Sequence, residues 1–431
     1  MMNERDTVFP VRDGELYIEG LSAAGLAERF GTPLYVYSEW LMRSRFAEIR
    51  KEFLEKHEGA FAAYAGKAFL APAICKIVDE EGFYLDVVSG GEFFTAKRAG
   101  FPAEKISFHG NNKTQAELDE AIGSGVGRII IDGIDELGMV EATAEKHGRR
   151  QAALFRITPE VGAGAHAHVA TGKRGSKFGV PMDEQILYPL IKSAIESPHI
   201  LFKGLHFHIG SQIFSAEPYV EAVGKALELM KEIHRRFGYA IEELVIGGGF
   251  GIRYTDEERM PYSYYLDQVM QRVNGVCEEC GFAPPRVGIE PGRSMIGDAG
   301  ATLYQVGSVK RIPGSTTYVS IDGGMSDNIR PALYGAKYDA VIAGKAGEAQ
   351  LETVTVCGKL CETGDRIIDD VLLAPPERGD ILCVFSTGAY GYSMASNYNK
   401  IPKPAVVLVN GTDAKLIVRR QTYEDMCACE L

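Results

Sequence analysis

Lys67 stands inside FAAYAGKAF, residues 61 to 69, an apolar run of strand type that places one ammonium group where a side chain should face inward. Burial favours the neutral amine, which is the form that attacks a carbonyl carbon. Two more apolar runs end in reactive types: ELVI leads into Gly247, Gly248 and Gly249 of GGGFG, and RVGI leads into Glu290, Gly292 and Arg293 of EPGR. A glycine run lets backbone N–H groups approach an anion with no Cβ in the way, and it reads equally as a phosphate cradle or a tight turn. A carboxylate beside an arginine, straight after an apolar strand, points to a buried charged site over a surface ion pair.

HFHIGSQ places His206 and His208 one residue apart, so that on a strand both face the same way, with Ser211 just beyond. Such a pair could chelate a metal, but no HExxH or adjoining Asp/His motif supplies a third ligand, and no metal is expected. An imidazole can instead stack on a flat cofactor while Ser211 offers a hydroxyl to a phosphate. An inward lysine, a phosphate-sized glycine cradle, a stackable histidine and a buried carboxylate together describe a site for pyridoxal phosphate. Lys67 would hold that cofactor as a Schiff base.

The elements that must position these groups recur along the chain. Eight β-rich runs, most separated by helix-like segments, lie at 62 to 68, 84 to 91, 105 to 112, 128 to 133, 153 to 159, 203 to 210, 243 to 251 and 286 to 293. Eight βα units over roughly 250 residues predict a (β/α)8 barrel, whose chemistry gathers at the C-terminal ends of its strands. The runs end in Lys67, Ser89 and Gly90, Asn111, Asp132, Arg156, His208, the three glycines and Glu290. Polar turns account for about half of such endings but not for a lysine, a histidine and a glutamate inside apolar runs. Beyond about residue 300, TTYVSID, LETVTVCG, DILCVFST and AVVLVNG alternate in the manner of an antiparallel sheet. GELYIEG and GTPLYVYS, which precede the first barrel run, are expected to add strands to it. The α/β architecture expected is thus a barrel over 36 to 299 with a second, mainly antiparallel β domain built from 1 to 35 and 300 to 431.

Composition excludes several classes of function. With 431 residues, 45% hydrophobic and 24% charged, the chain can bury a large core, and a net charge of −12 with scattered Lys and Arg argues against nucleic acid. No signal-peptide core and no run of about 18 apolar residues occurs, so a soluble cytoplasmic protein without a membrane partner is expected. Eight cysteines are too sparse for a disulfide framework. CEEC, Cys277 to Cys280, lacks the further ligands of a closed zinc site, and the same holds for Cys427 and Cys429 of CAC.

In order along residues 25 to 420, YAGKA, DVVSGGE, HGNNK, TGKRGSKFG, HFHIGSQ, GGGFG, EPGR, NIRPALYGA, CETGD and GAYGYSMASNYN resemble the motifs of the diaminopimelate decarboxylases. These enzymes share a pyridoxal-phosphate fold type with alanine racemase and eukaryotic ornithine decarboxylase. The resemblance implies Lys67 as the Schiff-base lysine, His208 stacked on the cofactor ring, Ser211 and Gly247 to Gly249 on its phosphate, and Glu290 on its pyridine nitrogen. It further implies Arg293, Arg330 and Tyr334 on substrate carboxylates, Cys361 as proton donor, Glu362 on the distal amine, and Tyr390 touching both cofactor phosphate and substrate. Gly292 and Arg293 of EPGR fall at the cofactor as well. The reaction implied is decarboxylation of meso-2,6-diaminopimelate to L-lysine, by a homodimer in which CETGD completes the partner's active site.

Three other readings remain beside it. A sister enzyme acting on ornithine, arginine or carboxynorspermidine is told apart by the pairing of Arg330 with Glu362, since a diaminopimelate site needs a cation for the distal carboxylate and a diamine-forming site needs an acidic residue there. A racemase would carry an arginine in place of Glu290. A cofactor-binding regulator without turnover would not need both Lys67 and Cys361. Thr363 stands where the family often has Ser, and Gly66 where many relatives have a larger residue.

Overall fold

The computed structural model describes residues 4 to 162 and 175 to 431. Contacts divide the chain into two compact units, one of Phe46–Gly251 with Arg259–Gly292 and one of Met1–Arg45, Ile252–Glu258 and Arg293–Leu431. The first four residues of TGKRGSKFG, 171 to 174, lie outside the described residues.

The first unit is a closed parallel barrel. Its strands are β1 Phe61–Ala65, β2 Tyr84–Val87, β3 Ile106–Phe108, β4 Arg128–Ile131, β5 Gln151–Thr158, β6 Ile200–His206, β7 Glu243–Val245 and β8 Arg286–Ile289. Each pairs in parallel with the next, and β8 closes on β1 through Gly288 opposite Phe61. Helices such as Pro72–Glu80, Gln115–Gly123 and Glu217–Phe237 link the strands. The last of these buries Tyr219, Ala222, Val223, Ala226, Leu227, Met230 and Ile233, the three-and-four spacing of a helix with one face on a core. It stops at Gly238, whose φ of 62° is left-handed and whose N–H closes on the His234 carbonyl.

Seven of the eight strands are shorter than the apolar runs that foretell them, β5 being the exception. The run 243 to 251 contains a strand of only three residues, Glu243–Val245, and the run 62 to 68 leaves its strand at Ala65. Apart from β5, which keeps Arg156 within the strand, the chain leaves each strand for loop or, after β1, for a 3-10 turn, so most chemistry-bearing ends of the runs hang beyond the barrel's rim. Ser89 and Asp132 prove to be ordinary loop builders: Ser89 accepts from the Glu92 N–H to cap a helix, and Asp132 accepts from the Gly179 N–H at 2.6 Å.

The opposite, N-terminal end is plugged by charge. Arg128 opens β4 and Glu243 opens β7, two strands that are not neighbours, so their contacts of 2.8 and 2.9 Å must cross the barrel interior. The Arg128 guanidinium also lies 4.8 and 4.9 Å from the Phe61 and Tyr84 rings, which open β1 and β2. Above this plug Phe61, Ile130, Leu154 and Val245 pack together.

The second unit is built on a large, mainly antiparallel sheet. Its long strand Gly300–Arg311 pairs with Thr317–Ile321, Leu34–Ser38 and Ile381–Val384. Two of its pairings are parallel, Thr317–Ile321 with Glu352–Cys357 and Leu34–Ser38 with Ala405–Asn410. GTPLYVYS therefore supplies a central strand. GELYIEG does not join this sheet: Glu15–Ile18 pairs only with Val11–Arg12 and Leu21–Ser22 in a small sheet of its own. No helix among the described residues is long and apolar enough to cross a membrane.

Glu243 is 3% exposed, and removing it leaves a buried guanidinium without its carboxylate. Glu243→Ala should therefore destabilise the protein by about 3 kcal/mol or more in urea unfolding, whereas replacing Arg128 and Glu243 together by Met and Leu should cost much less. Equal losses in the two variants would show that the pair is not a barrel plug.

Candidate active site

At the barrel's C-terminal rim, the chain turns sharply after β1. Gly66, Lys67 and Ala68 form one 3-10 turn, braced by the Tyr64 hydroxyl donating to the Phe69 carbonyl at 2.7 Å. A Cβ on Gly66 would stand 2.8 Å from the Asp86 carbonyl oxygen of β2, which gives the small residue at this position a physical reason. Lys67 itself is exposed, between buried Gly66 and Ala68. That corrects the expectation of a buried strand-end lysine: the strand has already ended, and the turn lifts the side chain out of the barrel's interior packing. Its charge still reaches Asp86, Glu92 and His208.

The buried centre of the rim is Glu290, the residue after β8. Its Oε2 lies 2.8 Å from His206 Nε2 and its Oε1 lies 3.2 Å from His109 Nε2. Asp86 is 3.5 Å from the same His109 nitrogen, and the two imidazole rings meet edge to face at 5.0 Å. Burial works against ionisation of Glu290, but the two histidines outweigh it and hold the carboxyl well below the usual range. Burial likewise lowers His109, yet Glu290 and Asp86 raise it to about 9. His206 is lowered to about 4 by burial, against the pull of Glu290. Asp86, buried and facing Glu290, is pushed up from the ordinary carboxyl range. Near neutral pH the rim thus holds one imidazolium, one neutral imidazole and one ionised glutamate.

His109 and Glu290 also answer the search for further ligands beside His206: their ligand atoms lie within 4.8 Å of one another, a set that sequence spacing did not show. His208 is not part of it. Burial, then the charges of Lys67 and Arg156, pull His208 well below its ordinary value, and its Nδ1 accepts the Gly248 N–H at 3.3 Å. A neutral ring so held suits stacking on a flat aromatic ligand.

The glycine run is required first by protein packing. Gly247 and Gly249 have φ of 73° and 108°, and a Cβ at 248 would come within 2.2 Å of the Glu290 carbonyl oxygen. The run lets β7's loop lie directly on the backbone that carries Glu290, whose N–H donates to the Gly247 carbonyl at 2.8 Å. Gly292 is equally tight, with a Cβ there 2.9 Å from that of Ala65. Ser211 follows β6 in the loop that pairs Ile213 with Phe250.

The β-rich unit gathers a second group. The Tyr254 hydroxyl accepts from Arg330 Nη1 at 3.0 Å and from Arg293 Nη1, and the Tyr338 hydroxyl accepts from Arg330 Nη1 at 2.6 Å. Arg293 also lies 4.8 Å from the Tyr390 ring, and Tyr390 has a φ of 64°. Tyr334, 41% exposed, ends the short helix Arg330–Tyr334. Cys361 and Glu362 are exposed on a turn that Asp365 holds by accepting the Leu360 N–H at 2.9 Å and the Met325 N–H at 2.6 Å. The Cys361 N–H donates to Asn399 Oδ1 at 2.8 Å. Neither Cys361 nor Glu362 bonds to the arginine group.

His109, Asp86, Tyr254, Tyr338 and Asp365 are the residues that sequence reasoning passed over. His109 sits within the quoted HGNNK and Asp86 within YLDVV, so the signal was present, but only the neighbouring strand ends give these residues a charged partner.

Residues that could hold pyridoxal phosphate fit it by their chemistry: an amine beside the rim, a carboxylate kept ionised without water for a ring N–H, and a neutral imidazole. Residues 41 to 297 match the family described as pyridoxal-dependent decarboxylase, pyridoxal binding domain. A diaminopimelate decarboxylase of Bacillus subtilis is 46% identical over 97% of this chain and 95% of its own. The crystal structure of diaminopimelate decarboxylase from M. jannaschii in complex with L-lysine superposes with a TM-score of 0.93 at 35% identity, over 99% of this chain and 98% of its own. That of the Helicobacter pylori enzyme, also complexed with L-lysine, does so with a TM-score of 0.86 at 28% identity, over 94% and 98%. A fold, a rim chemistry and a near full-length likeness all agree, and the chain belongs to the pyridoxal-dependent decarboxylase family.

Proposed function

We propose that this chain removes the carboxylate from one stereocentre of meso-2,6-diaminopimelate, releasing carbon dioxide and leaving L-lysine. The observation that carries the chemistry is Glu290, a buried carboxylate held ionised by His206 and His109 at the barrel rim. Substrate identity is supported by the likeness to diaminopimelate decarboxylases over nearly the whole chain.

Bound pyridoxal phosphate supplies a sink for the electron pair left at Cα when the carboxylate departs. Lys67 would provide the amine that holds the cofactor. Glu290 would keep a proton on the ring nitrogen, because an ionised partner stabilises the cation. His208, neutral, would face the ring, and Ser211, the glycine run and Tyr390 would receive the phosphate. Arg293, Arg330 and Tyr334 hold the substrate carboxylate that is retained, a task suited to the guanidinium fork. Glu362 takes the distal ammonium, and Cys361 returns a proton to the carbon that lost carbon dioxide. The exposed placement of Cys361 and Glu362 on a braced turn supports their donation to a second copy, so the active form proposed is a homodimer with shared sites in the cytoplasm.

Two measurements test this reading. Product analysis with meso-diaminopimelate, lysine, ornithine and arginine should find carbon dioxide and L-lysine from the first only, and borohydride should attach the cofactor to a peptide containing Lys67. Turnover of ornithine or arginine instead, or attachment at another lysine, would refute the assignment.

His109 gives a pH test. Its folded-state value of about 9 lies above the ordinary one, so its contribution to stability is complete below about 6.5 and is lost as pH rises through 9. The cofactor-free protein should lose on the order of 3 kcal/mol across that window, and His109→Gln should flatten the loss. A profile unchanged by the substitution would count against the rim's charge arrangement.

Sharing is tested by mixing Lys67→Ala with Cys361→Ala. In a shared arrangement a mixed dimer has one site with both defects and one with neither, so random exchange should restore roughly a quarter of the native activity. Recovery no greater than the sum of the separate variants, with exchange shown by mass, would establish that each site is built within one chain.

A further inference from the structure

Arg330 is only 6% exposed, yet among the described residues no carboxylate meets it. Its Nη1 carries both of its side-chain hydrogen bonds, to Tyr254 and Tyr338, and among the described residues Nε and Nη2 have no partner. Those two nitrogens form the side-on edge of a guanidinium, which matches the two oxygens of a carboxylate. Burial pushes the Tyr338 phenol up to about 12 in spite of Arg330, so at neutral pH that oxygen is an uncharged acceptor and the cation remains uncompensated.

The two phenols are themselves fixed. Tyr254 is 5% and Tyr338 2% exposed, and their rings meet edge to face at 5.5 Å. Glu257 accepts the N–H groups of both Tyr254 and Thr255, at 3.0 and 2.8 Å, and so pins the turn that carries Tyr254. The Tyr254 oxygen then spends both lone pairs on guanidinium N–H groups, one from Arg330 and one from Arg293. Each ring also presents its face toward Arg330, with centroids 5.2 and 5.9 Å from the guanidinium carbon. Two like charges are thereby gathered on one neutral oxygen, an arrangement that an incoming anion relieves.

We infer that Tyr254, assisted by Tyr338, is a positioning residue for specificity: by occupying Nη1 it turns the Nε and Nη2 edge of Arg330 toward the carboxylate that the substrate keeps. The inference rests on the reading of Arg330 as a carboxylate holder. It predicts that these hydroxyls select amino acids over the corresponding diamines, although neither touches the reacting carbon.

The test compares L-lysine with pentane-1,5-diamine, which has the same amines and no carboxylate, as competitive inhibitors of the loaded enzyme. The native protein should prefer lysine. Tyr254→Phe keeps the ring and removes the oxygen, so it should weaken lysine by about 10-fold and leave the diamine unchanged, with KM for meso-diaminopimelate rising and kcat changing far less. Tyr338→Phe should shift lysine in the same direction by a smaller factor, and it serves as the test if Tyr254→Phe does not fold. A parallel loss for lysine and diamine, or no change in either variant, would overturn the positioning role. If the native protein itself fails to prefer lysine, the carboxylate reading of Arg330 falls, and this inference with it.

Discussion

The barrel's rim is organised around keeping one carboxylate ionised where there is little water to help. Burying a charge is costly unless it is paired and hydrogen-bonded, and Glu290 meets that condition through a hydrogen bond with His206 on one oxygen and an ionic contact with His109 on the other. The demand spreads through the fold. It requires β6 to end on His206 and β3 to be followed by His109, whose N–H donates to the Val87 carbonyl at 2.7 Å beside β2. It also requires the loop after β7 to lie so close to Glu290 that residue 248 cannot carry a Cβ. Asp86 adds a second carboxyl beside the same His109; burial, and then the charge of Glu290, raise Asp86, whereas the two histidines hold Glu290 low.

The other end of the barrel solves the same problem for a different purpose. Glu243 also lies buried at a strand terminus, but its partner Arg128 meets it with two nitrogens and is flanked by the Phe61 and Tyr84 rings. Nothing in that pairing is left for a ligand, as suits the end of a barrel that carries stability and not chemistry. Burial of a charge therefore does not by itself mark function in this chain; what the charge is paired with has to be read from the fold.

That distinction explains what was legible in the sequence. The barrel was readable because each βα unit repeats a local pattern, and the antiparallel sheet because its strands alternate. Lys67, Glu290 and the histidine pair stood out as charged or polar types at the ends of apolar runs. His109 and Asp86 did not, since their importance comes from Glu290, which lies far along the chain just after β8. The glycine run was read as an anion cradle, whereas its tightest contacts are to Glu290's own backbone. The apolar run around Lys67 implied an inward side chain, but runs overestimate strand length, and the residue after a strand obeys its turn and not the sheet's alternation. Tyr254 was invisible for a related reason: it follows GGGFG as an ordinary loop aromatic, and only packing within the β-rich unit sets it between two arginines.

Arg330 carries the same logic to its converse. An ionised group taken from water must recover its solvation from the protein or from a ligand, and folding cannot tolerate many that recover too little. Glu290 recovers it from two histidines and Glu243 from Arg128, whereas Arg330 receives only neutral phenols at one of its three nitrogens. Neutral acceptors satisfy hydrogen bonds without cancelling charge, so they hold the guanidinium in place while preserving its attraction for an anion. An acidic neighbour in place of either phenol would stabilise the unit more and bind a carboxylate less. With Arg330 as the proposed holder of the substrate carboxylate, the choice of tyrosine over aspartate or glutamate around it keeps that charge for a ligand.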